Sequence, residues 1–246
     1  MPRIYLSPST QEYNPYNGGG NEEYYMNLIA DAMIPYLNAS GIQYTRNTPD
    51  MTAASSIAAS NAGNYDFHLA LHSNAAAGAN AGNVTGSEVY YYPYSAAGQR
   101  AADIFANNLK LIYPNPDKVR TVPTTTIGEV VRTKAPAVLI EYAYHDNAQD
   151  ADWIRNNINA IAENTVLSLT DYFGIPFITP SPTQYATVAT GGRNLNLRSQ
   201  PTLNSYVIGS LPNGSRVTLL SANGDWSYVN YNGTNGYAYS KYLKVN

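Results

Sequence analysis

From Ile4 to Phe173 short apolar runs alternate with stretches of helical periodicity, and this alternation restricts the fold more than any other feature of the chain. The runs at Ile4 to Leu6, Ile42 to Thr45, Phe67 to Leu71, Glu88 to Tyr92 and Ala137 to Glu141 have strand length. Between them, residues 22 to 37 set Met26, Ile29, Met33 and Leu37 on one helical stripe, and residues 151 to 173 do likewise through Ile154, Ile158 and Ile161. Residues 96 to 112 read as a third helix. Strands alternating with helices build an α/β domain on a mostly parallel sheet flanked by helices. The segment Pro114 to Thr126, with three prolines and a threonine run, predicts a surface loop.

The pattern changes at Gly174. The next residues, IPFITPSPTQ, carry three prolines and polar spacers and read as a stiff extended linker. Beyond it, from Tyr185 to Asn246, short β-branched or aromatic runs are punctuated by turn signals: GG at 191 to 192 and NG at 213 to 214, 223 to 224 and 232 to 233. That spacing predicts a small all-β barrel. The expected organisation is an α/β domain over 1–174, a linker over 175–184 and the barrel over 185–246.

Composition narrows the partners. A net charge of -3 argues against a nucleic-acid surface, and no run of about 18 apolar residues exists to span a membrane. The absence of cysteine removes disulfides, thiolate metal sites and a thiol nucleophile, so any metal must sit on His, carboxylate or amide ligands. The 23 tyrosines offer flat apolar contact with a hydroxyl at the rim, which suits sugars and peptides; in cores and strands they can equally replace phenylalanine. MPRIYLSPSTQEYN lacks the basic segment and apolar run of a secretory signal, so a protein held in the cytoplasm of the producing cell is expected, acting as a monomer.

Chemistry concentrates in DFHLALHSNAA. His68 and His72 are four apart on a strand and share a face, with His72 at the carboxyl end, where open α/β sheets place their ligands. LALHSNAA resembles a segment of the zinc-dependent N-acetylmuramoyl-L-alanine amidases, and two further stretches resemble that family in the expected order. GNEEYYMNLIADAM is similar to its helix with a metal-binding Glu four residues before an Asn, which implies Glu23 ahead of Asn27. PAVLIEYAYHDN is similar to its late strand ending in a catalytic Glu, which implies Glu141 as general base. Helical periodicity disagrees by one position, since the apolar stripe centres nearer Glu22. The ligand set expected is zinc on Gln11, Glu23 and His72. The family's first His is missing, because the first loop here reads SPSTQEYN, and Gln11 is placed to fill the slot, with Glu12, Thr10 or His68 as alternatives.

What the resemblance implies is hydrolysis of the amide between N-acetylmuramic acid and L-alanine in bacterial peptidoglycan. Arg132 is expected to hold a substrate carboxylate in a fork, His145 to stabilise an oxyanion or lie at the surface, and Asn74 to order the loop after His72. VATGGRNLNLRSQPTLNSYVIGSLPNGSRVTLL followed by GDWSYVNYNGTNGYAYSKYL resembles a bacterial SH3 domain, which implies wall binding, with Trp226 either at the binding surface or anchoring the barrel core. A wall hydrolase without a secretory signal resembles the phage and prophage endolysins, released to the wall at lysis; an exported autolysin is the other form. Two other readings stay open on the sequence: a metal-free, non-catalytic wall-binding protein, and a zinc peptidase acting on wall peptides.

Overall fold

A computed structural model of the chain describes residues 1–180 and 184–246, apart from the side chains of 221 and 223. It forms two compact units, Met1–Pro180 and Ser181–Asn246, each around its own core. The first holds a six-stranded sheet of β1 (Arg3–Pro8), β2 (Gln43–Arg46), β3 (Phe67–Asn74), β4 (Ser87–Tyr91), β5 (Val119–Pro123) and β6 (Ala137–Tyr144). Their order is β2-β1-β3-β6-β4-β5, and every neighbouring pair is parallel except β4 with β6. The helices are α1 (Glu22–Ala39), α2 (Ala53–Ala62), α3 (Ala96–Leu109), α4 (Gly128–Val131), α5 (Ala148–Asn156) and α6 (Ile158–Phe173).

Alternation along the strands divides the sheet's two faces. Ile4, Leu6, Leu69, Leu71, Val138 and Ile140 belong to the main core with the stripe of α1 and the apolar faces of α3 and α6. The opposite face carries a smaller cluster in which Ala70, Ala137 and Leu139 meet Val130 of α4. That thinner side leaves room for polar groups, and the functional residues lie there.

Three elements depart from the pattern expected of the sequence. The segment Pro114 to Thr126 is not a loop throughout, because it contains β5 at the sheet edge, where proline costs no ladder bond; Pro123 is the strand's last residue. The long C-terminal helix is two, broken at Asn157, whose Nδ2 donates to the Trp153 carbonyl at 2.8 Å and diverts a backbone acceptor. Helix α2, mostly alanine and serine, has no apolar stripe to announce it; a capping box between Thr52 and Ser55 starts it.

Within the expected linker, Ile175 and Phe177 pack on the first unit's core, with the Phe177 ring stacked 5.9 Å from that of Tyr36. The Ile178 N–H donates to Ser40 Oγ at 3.0 Å. Residues 181–183 of that linker lie outside the described residues. The second unit is a seven-stranded antiparallel sheet of β7 (Gln184–Val188), β8 (Leu195–Arg198), β9 (Val207–Leu211), β10 (Arg216–Asn223), β11 (Trp226–Tyr231), β12 (Thr234–Tyr239) and β13 (Leu243–Val245), ordered β13-β7-β10-β11-β12-β8-β9. Between β11 and β12 only Asn232 and Gly233 intervene, with φ of 49° and 83°, the two positive angles that a tight primed hairpin turn demands.

Candidate active site

The register of the sheet assembles the site. His72 on β3 lies directly opposite Glu141 on β6, and Glu141 opposite Glu88 on β4, so all three project from the face away from the main core. Past the end of β1 the chain loops over His72, held by the Ser9 N–H donating to the Leu71 carbonyl at 2.9 Å, and then enters α1. Asn21 caps that helix through its side chain, accepting from the Tyr24 N–H at 2.8 Å. The cap fixes the first turn with Glu22 inward, in line with Met26, Ile29, Met33 and Leu37.

Glu22 Oε1 lies 2.8 Å from His72 Nδ1. The Gln11 amide is 3.2 Å from the same nitrogen and 3.5 Å from the same oxygen. Asn14 Nδ2 donates to Glu22 Oε2 at 2.6 Å and to Gln11 Oε1 at 3.2 Å, and an irregularity in β3 aims the Ser73 N–H at Glu22 Oε1 at 3.4 Å. Burial opposes ionisation of Glu22, but its bond to His72, the His72 charge and the donors around it prevail and lower its pKa. Glu23 points elsewhere, lining a surface groove with Asn27, Asp31 and Arg46. Glu12 is exposed.

The second ring nitrogen of His72 meets a residue that no motif in the sequence singled out. Glu129, buried on α4, receives His72 Nε2 on Oε2 and His68 Nε2 on Oε1, each at 3.2 Å, and Ser7 Oγ donates to Oε1 as well. His68 Nδ1 in turn lies 3.0 Å from Ser60 Oγ of α2. His68 is fully buried and 61 positions from its carboxylate partner in sequence. Burial would raise the Glu129 carboxyl, yet hydrogen bonds from His68 and His72 and their charges hold it far below the usual carboxylate range. The one signal for it in the sequence was the pair of imidazoles on a single strand face, which call for an acceptor once buried.

This geometry tests the fit of a metal. With Nε2–H committed to Glu129, Nδ1 of neutral His72 presents a lone pair to a carboxylate oxygen 2.8 Å away, and two acceptors at that distance require a cation. A proton meets the requirement: burial opposes it, but the two glutamates raise the His72 pKa well above its ordinary value. A divalent ion meets it as well, and imidazole nitrogen, carboxylate and the carbonyl oxygen of Gln11, turned over about its amide, are suitable donors for zinc. Among the described residues no three His, Cys, Asp or Glu side chains are placed to cage a metal, and the further polar group within reach of His72 Nδ1 and Glu22 is the neutral amide of Gln11. A cleft of about 490 Å³ opens onto Gln11, His72 and Glu129 between residues 7–13 and 47–56.

Glu141 sits one strand away, with Oε2 sealed from solvent and without a hydrogen-bond partner among the described residues. Burial, with Glu22 and Glu88 adding repulsion against the attraction of His72, pushes its carboxyl up to about 8. Asn74 closes β3, donating to Glu88 Oε2 at 3.2 Å while its own Oδ1 accepts from the Ala75 N–H at 2.8 Å. His145 is not at the surface: it is buried, its Nδ1 is 2.8 Å from the Ser73 carbonyl, and its ring stacks 5.3 Å from that of Tyr16. Arg132 ends α4 with its side chain exposed, and its carbonyl accepts from Asn61 Nδ2 at 2.7 Å. In the second unit Trp226 is half-buried and packs edge-on against Tyr239 at 5.4 Å, outside the core of Val188, Leu197, Val217 and Val229.

Residues 193–244 match the bacterial SH3 domain. Among curated proteins, none matches the chain in sequence. Solved structures resemble its first unit. The amidase AmiC2 of Nostoc punctiforme is 19% identical with a TM-score of 0.60, over 70% of this chain and 97% of that one. An N-acetylmuramoyl-L-alanine amidase from Clostridium difficile 630 is 15% identical with a TM-score of 0.63, over 71% and 97%. The catalytic domain of the CD27L endolysin targeting Clostridia difficile is 20% identical with a TM-score of 0.57, over 70% and 98%. At these identities the structures speak for the fold, while residues 9–171 match the N-acetylmuramoyl-L-alanine amidase model itself, and the chain therefore belongs to that family of peptidoglycan hydrolases.

Proposed function

We propose that this amidase works with one zinc ion held by Gln11, Glu22 and His72 Nδ1, with Glu141 as general base, and that its second unit binds the cell wall. The observation that carries the reading is the convergence of an amide, a carboxylate and an imidazole nitrogen within 3.5 Å of one another, one strand from a carboxyl raised to about 8. Zinc supplies Lewis acidity toward a water and the substrate carbonyl. Glu141 takes the proton of the attacking water and returns it to the departing L-alanine amine. A carboxyl raised by burial is suited to both transfers, since a nearby cation would lower its pKa back toward neutral pH. Glu129 keeps the His72 ring turned so that Nδ1, not Nε2, faces Gln11 and Glu22.

Metal analysis of purified protein tests the site, with one zinc per chain expected in wild type and in Glu141→Ala, and release of L-alanine amino termini from walls only in wild type. A metal-free wild type that clears no wall sinks the proposal in favour of a binding protein. New termini elsewhere in the stem peptide indicate a peptidase. Because an amide holds zinc more weakly than a third charged or imidazole donor, mild chelation is expected to inactivate this enzyme; activity that survives a strong chelator rules the site out.

A further inference from the structure

We infer that Arg120 forms a subsite for a carboxylate on the stem peptide, an inference that rests on the amidase reading above. Arg120 on β5 lies directly opposite Glu88, Glu88 opposite Glu141, and Glu141 opposite His72, so the four side chains form one row across adjacent strands. At about 4.8 Å per strand, the Arg120 backbone is roughly 10 Å from that of Glu141. Glu88 is nearly sealed, with 4% of its side chain exposed, and its Oε1 accepts from Arg120 Nε at 3.0 Å and from Nη2. Its Oε2 is occupied by Asn74 Nδ2 and the Tyr90 hydroxyl. A buried carboxylate thus grips one edge of the guanidinium, while 68% of the Arg120 side chain remains exposed and Nη1 has no hydrogen-bond partner among the described residues.

A guanidinium fixed on one edge and bare on the other is a fork set in advance for a second carboxylate. The geometry also gives the place on the substrate. At about 3.5 Å per residue, a carboxylate on the second residue of the stem lies roughly 7 Å from the amide nitrogen released by hydrolysis. That distance falls between Glu141 and the Arg120 backbone, where the guanidinium leans back over Glu88. Arg132, expected from the sequence to take this role, closes α4 instead. The chemical class selected is a muramoyl peptide whose second residue keeps a free carboxylate, as against the same peptide with that group amidated.

Two synthetic N-acetylmuramoyl dipeptides differing only in this carboxylate or carboxamide test the inference, with kcat/KM read from release of the L-alanine amino terminus. Wild type is expected to prefer the acid by roughly ten- to a hundredfold, the worth of a hydrogen bond to a charged group. Arg120→Gln, which can still donate to Glu88, should bring the ratio near one through a raised KM for the acid. Arg120→Lys should retain part of the preference, and because the ratio is internal to each variant it is insensitive to partial loss of folded protein. Equal rates on both dipeptides in wild type, or a preference that survives Arg120→Gln, would falsify the subsite. A wild type that releases L-alanine from neither dipeptide sinks the amidase reading, and the subsite with it.

Discussion

Glu129 is buried and Glu141 half-buried with one oxygen sealed from solvent, and their neighbours drive them in opposite directions. Glu129 has two imidazoles for partners and stays ionised; Glu141 has an oxygen without one, two acidic neighbours and a carboxyl near 8. For Glu141 the folded state therefore binds a proton that the unfolded chain releases near 4.5, so its contribution to stability is greatest below that pH and is lost as pH rises toward 8. Glu141→Gln mimics the protonated form. In chelator-treated protein at pH 8 it should raise Tm by a few degrees, since about 1 kcal/mol moves a domain of this size by about 2–4 °C, while abolishing turnover. Thermal scans at pH 4.5 and 8 check the sign: a mutant no more stable than wild type at pH 8 would contradict the raised carboxyl. Glu129→Gln tests the other partner, and zinc titration should show affinity about 10–100-fold weaker, as for carboxylates behind metal-bound histidines generally. His72 and Glu141 could be picked out of the sequence as candidates because each sits in a compact motif on an apolar strand. Glu129 was not, because its role comes from a four-residue helix that only the tertiary fold carries over β3.

At the scale of the element, the first turn of α1 shows which sequence signal governs. The register of the resemblance pointed to Glu23, whereas the stripe of Met26, Ile29, Met33 and Leu37 pointed to Glu22, and Glu22 is the one buried against His72. Burial of that stripe sets the rotation of the whole helix, and a motif one residue out of phase cannot override it. Paired variants distinguish the two directly. Glu22→Gln should lose bound zinc on dialysis, and Glu23→Gln should keep it; the reverse pattern would return the ligand to Glu23. The strands were readable from their apolar runs, with boundaries shifted by a few residues. What escaped was β5, hidden among prolines that an edge strand tolerates, and α2, which needs only a cap and good helix formers.

For the whole molecule, the two units have separate cores, and the chemistry belongs to the first alone. In the proposed function the second contributes through concentration: on an insoluble wall, a bound module would make each catalytic encounter local without altering the chemical step. Its candidate contact is the cleft of about 390 Å³ lined by Asn194, Asn196, Arg198, Trp226, Tyr239 and Tyr242. Trp226 faces that cleft because the alternation of β11 assigns Ser227 and Val229 to the interior and turns the indole outward. An aromatic surface flanked by amides and a guanidinium suits a short peptide, with ring faces for its apolar parts and donors for its carbonyls. Trp226→Ala should therefore weaken retention on purified walls by about tenfold or more, the usual effect of removing a buried aromatic anchor. The useful measure is the ratio of wall clearing to turnover of a soluble muramoyl peptide by the same protein. A drop in that ratio places the loss in tethering; an unchanged ratio means that Trp226 does not hold the wall.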